Sequence, residues 1–232
     1  MRAARVKLDR EAYPETAARW LADVVGRTIA ARGSCSLALA GGSTPQPVYR
    51  ALAAPPFDRL VKWKSVHVYF GDERAVPPSD PDSNFGAARE ALLERVPIPE
   101  AQIHRMEAER ADREVAAVEY GRLLPERLDV LILGMGGDGH TASLFPGSPA
   151  LDERQRPVVA VIGPKAPAAR LTITPPVIAA AQEVAVLVTG AGKAAMVARA
   201  LEGPVAPKDL PAQLARGGTW FLDHAAASGL AE

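Results

Sequence analysis

The chain has 232 residues, 48% hydrophobic and 23% charged, with a formal net charge of zero. This is globular composition with material for a buried core, and it gives no electrostatic case for a nucleic-acid or anionic-membrane partner. A single cysteine, Cys35, excludes an intramolecular disulfide and a thiolate zinc site, and no apolar run approaches the ~20 residues that span a bilayer.

Arg2 and Arg5 are followed by no apolar run, so no secretory leader is expected and the expected location is the cytoplasm. Glu11 to Ala31 places Ala17, Leu21, Val24, Val25 and Ile29 at helical spacing, and Gly33 is a natural stop. Ser34 to Ala40 reads as a buried strand, which makes Cys35 an inert buried thiol. After GGSTP, Pro45 suits the first turn of a helix running to about Ala53. Val66 to Phe70 is the next strand, and a proline-rich loop follows from Ala75 to Ser83. Asn84 is positioned to cap a helix over Phe85 to Val96, and Ala111 to Leu124 reads as another helix. Leu128 to Leu133 is a strand that empties into a glycine-rich loop. Val158 to Ile162 and Leu171 to Thr174 are shorter strands, and Pro175 and Pro176 begin a helix through Ala181. Glu183 to Thr189 is a strand, Gly192 to Leu201 a helix and Thr219 to Leu222 a last strand. The alternation predicts an α/β fold, a mostly parallel sheet with helices on both faces, in one domain over residues 1–232. Ligands of such sheets bind outside the carboxyl ends of the strands.

The strand ends carry the chemistry. Gly41, Gly42, Ser43 and Thr44 lie between a strand and a helix N-terminus, where backbone N–H groups and hydroxyls favour a phosphate; the same residues also make an ordinary capped turn. Gly71 to Arg74 supplies Asp72, Glu73 and Arg74, able to hold a polar substrate, with Arg74 suited to an oxyanion or a phosphate through its planar fork. Gly134 to Pro146 reads GMGGDGHTASLFP. His140 is the candidate general base, and Asp138 is placed to orient its imidazole or to bind a hydroxyl. One histidine and one acid do not make a zinc site. Gly134, Gly136 and Gly139 also satisfy the dinucleotide pattern GxGxxG loosely, but no acid follows at the spacing that holds a ribose. The last loop, Gly190 to Ala194, puts Lys193 in a first helical turn, where a cation opposes the helix dipole unless an anion sits there. Lysine is scarce, at 6 residues against 21 arginines. Arg170 can add charge beside it or be a surface arginine. His67, His104 and His224 read as structural or surface residues, and Trp20, Trp63 and Trp220 as packing.

Taken together, GGSTP, Gly71 to Asn84 (GDERAVPPSDPDSN), GMGGDGHTASLFPGS and GAGKA resemble the motifs of the 6-phosphogluconolactonases, in that family's order and over most of the chain. Relatives of that family include glucosamine-6-phosphate deaminases and isomerases, with a shared Rossmann-like fold. In the deaminases the histidine loop typically continues into an Asn-Glu-Pro segment that supplies catalytic groups; the corresponding stretch here is Ser143-Leu144-Phe145-Pro146. The resemblance implies hydrolysis of 6-phospho-D-glucono-1,5-lactone to 6-phosphogluconate in the oxidative pentose phosphate pathway, with no metal or organic cofactor. It implies His140 as the base and Arg74 in the site, with Gly41 to Thr44, Lys193 and Arg170 near the phosphate. The expected partner is a small sugar-phosphate lactone, with neither nucleic acid nor membrane, and the expected state is a monomer or small homo-oligomer.

Overall fold

Two sheets, one parallel and one antiparallel, organise the chain in a computed structural model that describes residues 4–231; Arg2 lies outside them. The elements are β1 (Ala4–Leu8), α1 (Tyr13–Arg32), β2 (Cys35–Leu39), α2 (Pro45–Leu52), α3 (Phe57–Leu60), β3 (Val66–Phe70), β4 (Asp72–Arg74), α4 (Asn84–Ala88) and α5 (Arg113–Leu123). They continue with β5 (Val130–Gly134), β6 (Val158–Ile162), β7 (Ala169–Ile173), α6 (Pro175–Ala180), β8 (Glu183–Val188), α7 (Ala194–Glu202), β9 (Thr219–Asp223) and α8 (His224–Ala227).

The first sheet has six strands in the order β1-β9-β8-β5-β2-β3, all pairs parallel. Its inner strands are continuous apolar runs because both of their faces are covered: every residue of β2 is buried, as are Val130 to Leu133 of β5. From β2 the chain steps outward to β3, whereas β5, β8 and β9 step the opposite way. Right-handed crossovers running in opposite directions place their helices on opposite faces of the sheet. The reversal lies between β2 and β5, paired at Leu37–Val130 and Ala38–Leu131. A topological switch of this kind leaves a crevice at the carboxyl ends of the two strands.

The strands expected at Val158 to Ile162 and Leu171 to Thr174 form as β6 and β7, but they do not join the parallel sheet. With β4 they make a three-stranded antiparallel sheet, in the order β4-β7-β6. The GDER segment, read from the sequence as a loop, is therefore partly strand. Gly71 is the pivot between the sheets: its N–H donates to Leu39 O of the first (2.9 Å), and its carbonyl accepts from Ile173 N of the second (2.9 Å). The helix expected over Phe85 to Val96 is shorter, with a π-helical turn from Arg89 to Leu93 after α4. Ser83 rather than Asn84 is its cap, accepting from Gly86 N through Oγ at 3.0 Å, because Asn84 is turned inward. The edge strand β1 was not foreseen; Arg5 and Lys7 alternate with its apolar residues and make it look like a polar tail.

Cys35 is buried and its thiol is pushed up to about 12 by burial, with Asp129 adding to the shift. Trp63 and Trp220 are core residues, and Trp20 packs edge-on against Phe221 at 5.6 Å. His104, read as structural or surface, is half-buried, stacked on Tyr69 and 3.3 Å from His67 Nδ1 through Nε2. No helix among the described residues is long and apolar enough to cross a membrane.

Candidate active site

The carboxyl ends of β2, β5 and β8 and the start of β4 open on one cleft of about 220 Å³. Gly41, Gly42, Ser43, Thr44, Asp72, Arg74, His140, Arg170 and Lys193 all line it. Asp138, standing behind His140, and Glu73 do not.

His140 Nδ1 lies 2.5 Å from Asp138 Oδ1, which also accepts the His140 backbone N–H at 3.1 Å. An ionised carboxylate only accepts, so Nδ1 carries the proton and Nε2 is left with its lone pair. Partial burial raises the Asp138 pKa; the His140 N–H and the charge and hydrogen bond of the His140 imidazole outweigh it, and the net direction is down. The loop's second glycine is dictated by this pair. A Cβ on Gly136 would stand 2.1 Å from His140 Nδ1 and 2.6 Å from Asp138 Oδ1. The loop closes on itself through Gly136 N to His140 O (2.9 Å) and is held from below by Ala212 N donating to Gly139 O (2.9 Å). After β5 the chain makes turns, not the helix that a dinucleotide fingerprint requires, and the next helical residues are Pro149–Asp152.

Facing the histidine is a charged wall built on β4 and β7. Arg74 and Arg170 are direct cross-strand partners. Like charges in register repel, and an anion lying against both guanidinium groups offsets that repulsion. Arg74 donates through Nη1 to Asp82 O, and its buried Nε has no hydrogen-bond partner among the described residues. Arg170 is buried, and that desolvation lowers its pKa, with Asp72 opposing the shift and Arg74 adding to it. The two acids of the segment are already engaged. Asp72 Oδ2 accepts from Ser143 Oγ (2.6 Å) and Oδ1 from Asn84 Nδ2 (3.1 Å), which ties β4 to the histidine loop and to α4. Glu73 points away from the cleft. Its carboxylate accepts from the N–H groups of Arg74 (2.7 Å), Asn84 (2.8 Å) and Phe85 (2.8 Å) and from Ser83 Oγ (3.1 Å). Burial raises its pKa, and the backbone donors at Phe85, Asn84 and Arg74 work against the shift. Glu73→Ala strands those donors in a buried place. The expected result is a loss of about 2–4 kcal/mol, read as a lower denaturant midpoint at unchanged slope.

The third wall is suited to an anion. Thr44 is not a side-chain cap of α2; its Oγ1 lies 3.2 Å from Thr189 Oγ1, joining the ends of β2 and β8. Pro45 and Pro47 have no N–H, so the donors here come from the loop more than from the helix. Gly41 makes room for Asn84, whose Oδ1 would lie 1.8 Å from a Cβ there. Tyr49 Oη holds the end of β2, donating to Ala40 O (2.8 Å) and accepting from Ala40 N (2.9 Å). Lys193 ends the 3₁₀ turn Ala191–Lys193 and stands at the start of α7. Burial lowers its pKa, Asp223 opposes the shift, and its ammonium has no hydrogen-bond or ion-pair partner among the described residues.

Sequence reasoning missed the supports. Asp223 at the end of β9 accepts from Gly190 N with both oxygens (3.0 Å each) and from Ala226 N (2.7 Å), so it fixes the Lys193 loop and caps α8. Asn84, Ser143 and Thr189 join the loops to one another. Nothing local in the sequence marks them as supports: Asn84 reads as a helix cap, Ser143 as an ordinary loop residue and Thr189 as the end of a strand. No group of three or more His, Cys, Asp or Glu among the described residues is arranged to hold a metal.

Comparison with known proteins places this cleft in context. The family model for glucosamine-6-phosphate isomerases/6-phosphogluconolactonase matches residues 8–222. The 6-phosphogluconolactonase of Streptomyces coelicolor is 40% identical over 244 residues, covering 97% of this chain and 93% of its own. That of Mycobacterium tuberculosis is 39% identical over 239 residues, covering 96% of each. The solved 6-phosphogluconolactonase of Trypanosoma brucei superimposes with a TM-score of 0.84 at 30% identity, over 99% of both chains. A monomeric glucosamine-6-phosphate deaminase superimposes with a TM-score of 0.87 at 22% identity, a likeness of fold alone.

Proposed function

The chain belongs to the glucosamine-6-phosphate isomerase/6-phosphogluconolactonase family, and we propose that it hydrolyses 6-phospho-D-glucono-1,5-lactone to 6-phospho-D-gluconate in the oxidative pentose phosphate pathway. The observation that carries this reading is an imidazole whose Nε2 has no hydrogen-bond partner among the described residues, in a cleft also lined by Arg74, Arg170 and Lys193. Nε2 takes a proton from water as the water oxygen bonds to the lactone carbonyl carbon. The carbonyl oxygen becomes an oxyanion, and the Arg74 guanidinium, which lines the cleft, is the donor that meets it. The tetrahedral intermediate collapses, the bond from that carbon to the ring oxygen breaks, and the imidazolium returns its proton to the ring oxygen. Asp138 keeps Nδ1 protonated throughout. Lys193 and Gly41 to Thr44 hold the phosphate and thereby orient the lactone. A phosphorylated substrate crosses membranes poorly, which supports action in the cytoplasm.

The lactonase reading is favoured over sugar-phosphate deamination because Ser143-Leu144-Phe145-Pro146 supplies no carboxylate where the deaminases typically have Asn-Glu-Pro. Hydrolysis of freshly prepared 6-phosphogluconolactone, corrected for the spontaneous rate, tests it directly. Acceleration in proportion to enzyme concentration is expected. Ammonia release from glucosamine 6-phosphate with no acceleration of lactone opening would overturn the proposal.

A further inference from the structure

Phe145 is 8% exposed, yet it stands outside the main hydrophobic core and does not line the cleft. Its ring lies among site residues. The His140 imidazole centroid is 4.8 Å from that of Phe145, with the planes tilted by 46°. The Arg170 guanidinium carbon lies 5.5 Å from the same centroid. A third neighbour is Gly163, where a Cβ would stand 2.9 Å from Phe145 Cε2 and Cζ and 3.2 Å from Arg170 Nε. The backbone beneath is fixed, since Phe145 O accepts from Ser148 N (3.0 Å) at the end of the turn in which Leu144 N donates to Thr141 O (2.9 Å).

We propose that Phe145 is a positioning residue that sets both the imidazole of His140 and the guanidinium of Arg170 on one shared ring. The proposal rests on the lactonase reading above. The hydrogen bond from Nδ1 to Asp138 holds one edge of the imidazole, and that single contact still permits rotation of the side chain in small excursions about χ1 and χ2. A ring packed against the imidazole removes the rotation and so sets where Nε2 points. Arg170 is in the same position. Its Nε donates to Pro167 O (3.1 Å) and Nη2 to Lys165 O (3.5 Å), while Nη1 has no partner among the described residues. The aromatic face supports the guanidinium through a cation–π contact without consuming a donor, so Nη1 remains available to an anion. The same contact tolerates the imidazolium formed when His140 takes a proton. Gly163 is the steric condition for the arrangement, since any side chain there displaces the ring and the guanidinium together.

The test uses Phe145→Leu, which keeps most of the apolar volume and removes the flat face, and Gly163→Ala, which pushes the ring and the Arg170 guanidinium from a position outside the cleft lining. Turnover is measured with fresh lactone. The His140 imidazole is followed by ¹⁵N spectra of histidine-labelled protein, its signals identified by their loss in His140→Asn. The expected result in either variant is a fall in kcat of roughly tenfold and a KM rise of a few fold, with displaced His140 ring signals. A kcat and KM within twofold of the parent together with unmoved ring signals would overturn the proposal. If Phe145→Leu does not fold, Gly163→Ala decides on the same terms. If the parent itself shows no lactone turnover, the proposed function fails and the ring signals alone decide the positioning role.

Discussion

Asparagine in place of His140 is expected to lower turnover of the phosphorylated lactone by roughly 10²–10⁴-fold, the range a positioned general base contributes. Asparagine keeps a polar group against Asp138 but has no basic nitrogen. The side chain is partly exposed and stands in a loop held by backbone hydrogen bonds, so the fold is expected to survive, with an unchanged denaturant midpoint. The effect should fall on kcat, since the imidazole acts on water and leaves the phosphate contacts intact. Acid provides a second check with a definite sign. His140 works as a base only while Nε2 is unprotonated, so kcat/KM of the parent falls as pH drops. Asp138 does not set that limb, because its pKa is lowered in the fold and it is still ionised where an ordinary aspartate has begun to protonate. The residual rate of the asparagine variant should therefore lose the acid limb. A variant with parental turnover, or with an unaltered acid limb, would remove His140 from the base role.

The loops that supply these groups were legible because each leaves a strand end with glycines beside a charged or hydroxyl residue, a combination that strand and helix periodicity does not explain. Gly41 to Thr44, Arg74, His140 and Lys193 converge because they follow strands that a parallel sheet must align. The second sheet was harder to read. Its first strand, β4, has three residues, too few for any period, and Arg74 and Arg170 become neighbours only through the register of β4 on β7. The supporting network was invisible for a related reason. Asp72 meets Ser143 across 71 positions, and Gly190 meets Asp223 across 33, so nothing local marks either acid as a support. The reading of Glu73 as a possible substrate ligand shows the limit. An acid next to an arginine suggests a site, whereas here it accepts the backbone donors at the start of α4.

Lys193→Met is expected to raise KM for the phosphorylated lactone by about 10- to 100-fold, with a much smaller change in kcat. The range follows from the worth of a hydrogen bond to a charged group, about 1.5–3 kcal/mol, at 1.4 kcal/mol per factor of ten. Methionine keeps the length and apolar stem and deletes only the ammonium. The unliganded protein is not expected to lose stability. The ammonium is half-buried without a partner among the described residues, and that desolvation, only partly offset by Asp223, is what lowers its pKa. A phosphate dianion in the cleft reverses the balance by pairing with the half-buried charge. Protection against thermal unfolding by inorganic phosphate or 6-phosphogluconate should accordingly be strong in the parent and weak in the variant. Substrate truncation isolates the cause. An unphosphorylated gluconolactone has nothing for Lys193 to hold, so parent and variant should open it at matching kcat/KM. An equal loss on both lactones would place Lys193 at the reacting end of the cleft. The anion at the phosphate end would then fall to the N–H groups and hydroxyls of Gly41 to Thr44 alone.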